Sequence, residues 1–115
     1  MAKDRDLYIL WTNADLTTTE HMVFMYAQHV ITNQSWRSVN VIAWGATVKL
    51  LGENEHVQEI VDNAISNGVK FSVCRACARK TGVEEILDKK GIYNLIYEGK
   101  VLTKILENDE KLLTI

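Results

Sequence analysis

Short apolar runs alternate with amphipathic stretches along the whole chain. The runs at 7–11, 39–44, 69–74, 92–97 and 111–115 are rich in β-branched and aromatic residues, so they predict five strands. Between them, apolar residues recur at helical spacing, as at Val23, Ala27 and Val30. Strands that alternate with helices predict right-handed crossovers and a mostly parallel sheet with helices on both faces. We therefore predict a single three-layer α/β/α domain over residues 1–115.

Local signals predict where the elements begin and end. Thr17 and Glu20 fit a capping box that begins the first long helix. Residues 48–51 predict a short connector, which the pattern assigns to neither helix nor strand. Glu98 and Gly99 predict a turn between the fourth strand and the last amphipathic helix.

Composition and charge narrow the functional classes. The chain has 115 residues, 47% of them apolar, which is enough for a hydrophobic core without disulfide bonds. The net charge of -2, without a basic block, argues against nucleic-acid binding. The charged amino terminus lacks the apolar segment of a signal peptide, and no apolar run approaches the roughly 20 residues of a membrane span. These features predict a cytoplasmic protein.

The two cysteines form a C-x-x-C motif where the third predicted strand meets a short helix. The strand ends at Cys74, Cys77 lies in the first helical turn, and Gly82 ends the helix. In a reducing compartment this motif is more typical of catalysis or metal binding than of a structural disulfide. Because the helix start and the basic residues Arg75 and Arg79 favour an anion, we expect the pKa of Cys74 to fall below its usual value.

The carboxyl ends of parallel strands meet at one edge of the sheet, where ligands bind in α/β proteins. The topology places four groups of residues at this edge: Asn13 with Asp15, residues 44–47, residues 74–77 and residues 98–99. Gly45 lies in a turn of small residues that would let a ligand approach the backbone. We take Cys74 and Cys77 as candidate catalytic residues, and we take as candidate ligand-binding residues Asn13, Gly45, Arg75 and Arg79.

The chain resembles the DsrE/DsrF-like family, which includes sulfur-relay proteins. The resemblance rests on Thr12-Asn13 after the first strand and on Gly45 after the second. It rests more heavily on the strand from Gly68 to Cys74, followed by an alanine-rich turn with basic residues and then by Gly82-Val83.

This resemblance implies a flavodoxin-like domain that forms dimers, trimers or hexamers. It also implies that Cys74 accepts a persulfide from a donor protein or small thiol and passes the sulfur to an acceptor, a sulfurtransferase or carrier activity that needs no cofactor. Cys77 departs from the single-cysteine pattern of the relay proteins. The position of Cys77 leaves open whether Cys74 hands sulfur onward or forms a disulfide with it.

Other interpretations of these residues remain. Cysteine is among the most buried residue types, so either thiol could be part of the core. A zinc site needs about four ligands, and His21, His29 and His56 are not spaced as ligands to the two cysteines, so we predict no metal. The alternative functions are a non-catalytic oligomeric protein that binds a small ligand or regulates, and a dithiol oxidoreductase.

Overall fold

A five-stranded, entirely parallel sheet forms the centre of the computed structural model, which describes residues 2–115. The strand order is β4-β3-β2-β1-β5, with β4 and β5 at the edges. The prediction of a mostly parallel five-stranded sheet is confirmed. The strands are β1 (Asp6–Trp11), β2 (Ser38–Ala43), β3 (Lys70–Cys74), β4 (Leu95–Ile96) and β5 (Lys111–Thr114).

Helices fill every connection between the strands. A short 3-10 turn, Ala2–Asp4, precedes β1, and a π-helical segment, Thr19–Phe24, joins the first two α-helices into one continuous rod. No helix within the described range 2–115 combines the length and apolarity that a membrane span requires. The α-helices are α1 (Leu16–Thr18), α2 (Met25–Thr32), α3 (Ala46–Glu53), α4 (Glu55–Ser66), α5 (Arg75–Thr81), α6 (Glu84–Lys90) and α7 (Glu98–Glu107).

The strand order divides these helices between the two faces of the sheet. The three connections from β1 to β4 all step in one direction, whereas the fourth returns past β1 to reach β5. Because crossovers are right-handed, α1 to α6 lie on one face and α7 lies alone on the other. In agreement, Ile42 and Ile105 are buried but lie outside the main hydrophobic cluster. The molecule is a flavodoxin-like three-layer α/β/α fold with one thin layer.

An aromatic cluster organises the main core. The ring of Trp11 lies edge-on to Phe24 with centroids 5.0 Å apart, and Phe71 packs against Tyr93 at 5.7 Å. Trp11 and Phe71 connect the two pairs at 6.4 Å. The indole N–H of Trp11 donates a hydrogen bond to the hydroxyl of Thr19, at 3.3 Å. These contacts attach the π-helical segment and the chain before β4 to the centre of the sheet.

Two predictions of local structure are wrong. Asp15 caps the first helix in place of Thr17, since its carboxylate accepts the backbone N–H of Thr18 at 2.9 Å. A carboxylate at this position also benefits from the positive end of the helix dipole. Glu20 accordingly does not complete a capping box, and its carboxylate lies 3.2 Å from His56. Residues 48–51 belong to α3 and not to a connector.

The fourth strand and the turn that follows it also differ from the prediction. β4 has only two residues, because Asn94 takes a left-handed φ of 50° that interrupts the extended backbone. Tyr93, expected within the strand, is buried in the main core, where its hydroxyl donates to Asp62 at 2.6 Å. Glu98 does not form a turn with Gly99, since it is the first residue of α7.

Close packing of α3 against the start of α6 requires a glycine at position 52. A Cβ atom built on Gly52 would overlap the side chain of Val83, which is itself buried. We expect Gly52→Ala to lower the free energy of unfolding by about 1–3 kcal/mol, the usual cost of overpacking a core. Chemical denaturation measures this difference. The matched control is Gly99→Ala in α7, where the added methyl meets no atom within 4 Å and should be neutral or stabilising. Equal stability of the two variants would contradict the packing argument.

Candidate functional site

The connections of the neighbouring strands β3 and β4 leave the sheet on opposite faces. In α/β folds, ligand sites form at the carboxyl ends of two such strands. Here β3 ends at Cys74, and β4 leads within two residues into Glu98. Cys77 lies in α5, and Gly45 follows β2, the other neighbour of β3. We call these four residues the dithiol site.

Hydrogen bonds from the backbone hold both thiols in place. Cys74 is the N-cap of α5, and its sulfur accepts the backbone N–H of Cys77 at 3.4 Å. The sulfur of Cys77 accepts the backbone N–H of Gly45, also at 3.4 Å. Gly45 has a φ of 72°, which is strained for residues with a side chain. Both cysteines are free thiols, but Cys74 is buried at 4% exposure whereas Cys77 is only half-buried.

The acidity expected of Cys74 is not observed. Burial is the main reason that the pKa of the Cys74 thiol is raised to about 11, and the Cys77 thiol and the charge of Glu98 act in the same direction. The backbone N–H of Cys77 opposes this rise but does not offset it. The first turn of α5 is therefore not an activating environment for Cys74. The greater exposure of Cys77 makes it the thiol that a reagent can reach.

The two candidate arginines are engaged in ion pairs within the protein. The guanidinium of Arg75 lies 2.8 Å from Glu84 and 3.1 Å from Asp88. Arg79 lies 2.9 Å from Glu84, and its guanidinium carbon stands 5.8 Å from the centre of the Tyr97 ring. Both arginines hold α5 against α6 and the chain after β4. Their charges are neutralised by carboxylates, which explains why they do not lower the thiol pKa.

The structure separates Asn13 from the other candidates. The side-chain oxygen of Asn13 accepts the backbone N–H of Asp15 at 2.9 Å, and the backbone N–H of Asn13 donates to the backbone carbonyl of Ile115 at 3.1 Å. Asn13 therefore lies beside the end of β5, on the opposite side of β1 from the dithiol site. Of the four predicted ligand-binding residues, Gly45 is the one whose backbone contacts a cysteine sulfur.

Glu98 is a site residue that the sequence analysis assigned to a turn. Its side chain is 1% exposed, and neither carboxylate oxygen has a hydrogen-bond partner. Burial raises the pKa of Glu98 to about 7, although the nearby Ser72 side chain lowers it in part. The spacing of Glu98 from Val101, Leu102 and Ile105 puts it on the apolar face of α7, and this pattern could have identified it.

Other parts of the molecule offer fewer chemical groups. Among residues 2–115, no three His, Cys, Asp or Glu side chains come together in a way that could hold a metal ion. An open cleft of about 510 Å³ runs beside α2 and α4 and is lined in part by His21, Met25 and His29. None of the predicted site residues lines this cleft.

One solved structure is similar over the whole chain. It is a conserved protein of unknown function, BT1422 from Bacteroides thetaiotaomicron, with a TM-score of 0.93 and 34% sequence identity over 100% of this chain and 98% of that chain. The chain belongs to the same family as BT1422. The chain matches no family model and no curated protein. Membership of the BT1422 family supports the fold, whereas the chemistry of the dithiol site rests on its own geometry.

The buried carboxylate makes stability depend on pH. Because Glu98 has a pKa of about 7 in the folded protein against 4.5 ordinarily, the folded state keeps a proton that the unfolded state loses. Its contribution to stability therefore decreases as the pH rises from about 4.5 to 7, by an amount on the order of 3 kcal/mol. We expect Glu98→Gln to be more stable than the wild type at pH 8 and nearly equal at pH 4.5, as measured by urea unfolding. Glu107→Gln, on the exposed side of α7, is the control. A constant difference across this pH range would contradict the assignment.

Proposed function

We propose that the chain is a DsrE-like carrier of intracellular sulfur in which the Cys74–Cys77 pair accepts and passes on sulfur as a persulfide. The observation that carries this proposal is the pairing of an accessible thiol with a buried one at the carboxyl end of β3. The two free thiols form a C-x-x-C pair in which the backbone N–H of Cys77 donates to the Cys74 sulfur, and pairs of this kind are used for thiol–disulfide exchange.

Cys77 makes the first attack in this mechanism. Its thiolate attacks the outer sulfur of a donor persulfide, the donor S–S bond breaks, and the donor leaves as a thiolate. An acceptor thiolate then attacks the outer sulfur now carried by Cys77, which restores the Cys77 thiolate. Exposure favours this order of events over a first attack by Cys74, since Cys74 is buried and its pKa is raised to about 11. No cofactor is needed for either transfer.

The backbone of Gly45 supports the charge that develops on Cys77. Its N–H donates to the Cys77 sulfur in the resting protein, and a hydrogen bond to an ionised acceptor is stronger than one to a neutral acceptor. The reaction partners would be donor and acceptor proteins or small thiols of a reducing cytoplasm, where the pair stays reduced.

Transfer of sulfur to the chain tests this function. After incubation with a small persulfide donor, we expect Cys74→Ser to gain the mass of one sulfur atom, a gain that dithiothreitol reverses. Cys77→Ser should gain none, because the thiol that remains is buried. Intact mass spectrometry makes the comparison, with the double variant as the control. Sulfur on Cys77→Ser alone would reverse the two roles, and failure of both single variants to gain sulfur would favour the non-catalytic ligand-binding alternative.

We propose further that the chain assembles into a homo-oligomer. α7 alone covers one face of the sheet, so Tyr8 and Leu10 of β1 and Asn40 of β2 remain only half-buried there. A partly bare sheet face of this kind is typical of a surface that another protein covers. Large apolar side chains are also exposed at the start of α7 and along it, namely Tyr97 and Leu106.

Light scattering at micromolar concentration tests the assembly. We expect a mass that is a multiple of the 13.1 kDa of one chain. Tyr8→Glu, which puts a charge on the partly bare face, should shift the mass toward that of a monomer, because an unpaired charge is costly to bury. Thr17→Glu, at an exposed position of α1, is the matched control and should leave the mass unchanged. A wild-type mass near 13.1 kDa would rule out the homo-oligomer.

A further inference from the structure

Glu98 is a buried carboxylate without any visible structural purpose. Both of its oxygens are buried and lack hydrogen-bond partners, and none of the ion pairs formed within residues 2–115 includes it. Burying a carboxylate in this state is costly, and natural proteins normally pair such groups. A costly group of this kind, next to reactive side chains, is a candidate for a functional role.

The topology brings Glu98 to Cys74. Cys74 pairs with Ile96 across β3 and β4, and the chain enters α7 two residues later at Glu98. Side chains alternate along a strand, so Ser72 lies on the face that α7 covers, opposite to Phe71 and Val73, whereas Cys74 packs with the main core at the end of β3, where α7 begins. The Ser72 side chain lowers the pKa of Glu98, and the charge of Glu98 raises the pKa of the Cys74 thiol.

Few other charged or titratable groups face Glu98. From β3 these are the Cys74 thiol and the neutral hydroxyl of Ser72, and from α5 the Cys77 thiol lies next to Cys74. The remaining charged or titratable side chains of β3, α5, α7 and this face of the sheet, with Tyr97 before α7, are exposed, ion-paired or two strands away: Lys70, Tyr97, Lys100, Lys104, Glu107, Arg75, Arg79, Lys80, Asp6 and Tyr8.

We propose that Glu98 accepts the proton of the Cys74 thiol when Cys74 attacks a sulfur adduct on Cys77, an inference that rests on the proposed thiol chemistry of the pair. The Cys74 S–H bond breaks and its proton passes to the Glu98 carboxylate. The Cys74 sulfur forms a bond to the Cys77 sulfur, and the bond from Cys77 to the adduct breaks. The leaving group departs as hydrosulfide from a persulfide, or as a thiolate from a mixed disulfide, and takes up the proton.

This step gives the buried thiol a function that its own acidity does not allow. A thiol with a pKa of about 11 is almost wholly protonated near pH 7, so its attack needs a proton acceptor. The carboxylate of Glu98, with a pKa of about 7, is half-ionised in the same range and is therefore matched to this task. The disulfide that forms between Cys74 and Cys77 returns to the dithiol when two thiols of an external reductant are oxidised.

Glutathione disulfide separates the two chemical steps without any persulfide. The first step forms a mixed disulfide on Cys77 and releases one glutathione, and Cys74→Ser should stop at this adduct. The second step releases the other glutathione and closes the internal disulfide. Acid quenching followed by intact mass spectrometry gives the rate of each step. Because no persulfide is involved, a failure of sulfur transfer and a failure of the role of Glu98 give different results.

We expect Glu98→Gln to form the adduct on Cys77 at the wild-type rate and to resolve it about 100-fold more slowly at pH 7, the usual contribution of a proton acceptor. The wild-type resolution rate should rise with pH around a midpoint near 7, whereas the variant should rise only in the alkaline range of a thiol. Glu98→Asp should keep part of the rise in resolution rate near pH 7, and Glu107→Gln should match the wild type.

Three results would overturn the inference. In the first, Glu98→Gln resolves the adduct at least as fast as the wild type, which would mean that Glu98 acts only as a charge that raises the pKa of Cys74. In the second, the wild-type resolution rate does not rise with pH near 7. This result needs only the wild type, so it can be obtained even if the variants do not fold. In the third, no adduct forms on Cys77 in the Cys74→Ser variant.

Discussion

The handedness of the strand crossovers is the constraint on which the structure depends. Three crossovers in one direction build a thick helical layer over β1 to β4, and a right-handed return to β5 must then pass over the opposite face. This return path places the first residue of α7 beside the end of β3. The position of Glu98 near the end of β3 therefore follows from topology, although Cys74 and Glu98 are far apart in sequence.

Low polarity, rather than positive charge, is the main electrostatic property of the dithiol site. The nearby arginines are neutralised by Glu84 and Asp88, and neither Cys74 nor Glu98 is well exposed to water. Burial of this kind favours the protonated forms of both groups, so each keeps its proton at a higher pH than in solution. Burying these groups lowers the free energy of unfolding of the whole protein, as is usual where function needs an unfavourable local arrangement.

The periodicity of the sequence was sufficient to predict the fold, because the alternation of strand and helix patterns leaves few ways to connect a parallel sheet. It also located the two cysteines at the end of β3, since a strand pattern and a helix stop at Gly82 flank them. The acidity of Cys74 could not be predicted in this way. The local motif indicates a helix start and positive charges, whereas burial in the core and the ion pairs of Arg75 with α6 depend on other parts of the chain. Glu98 was assigned to a turn for a related reason: its pairing with Gly99 suggested a loop, and only the wider helical spacing reveals its buried side.

The π-helical segment Thr19–Phe24 constrains how this family can change in length. A π-helical turn closes its hydrogen bonds one residue later than an α-helical turn, so it accommodates an inserted residue within the rod. Deleting one residue here would restore α-helical geometry and leave α1 and α2 facing nearly the same way, because the wider π-helical turn has absorbed the extra residue. The local contacts would change, among them the hydrogen bond from the indole of Trp11 to the Thr19 hydroxyl. A deletion in the regular turns of α2 would instead rotate the residues that follow by about 100° and turn their apolar side away from the sheet. Loss of one residue should therefore be better tolerated within Thr19–Phe24 than elsewhere in this helix.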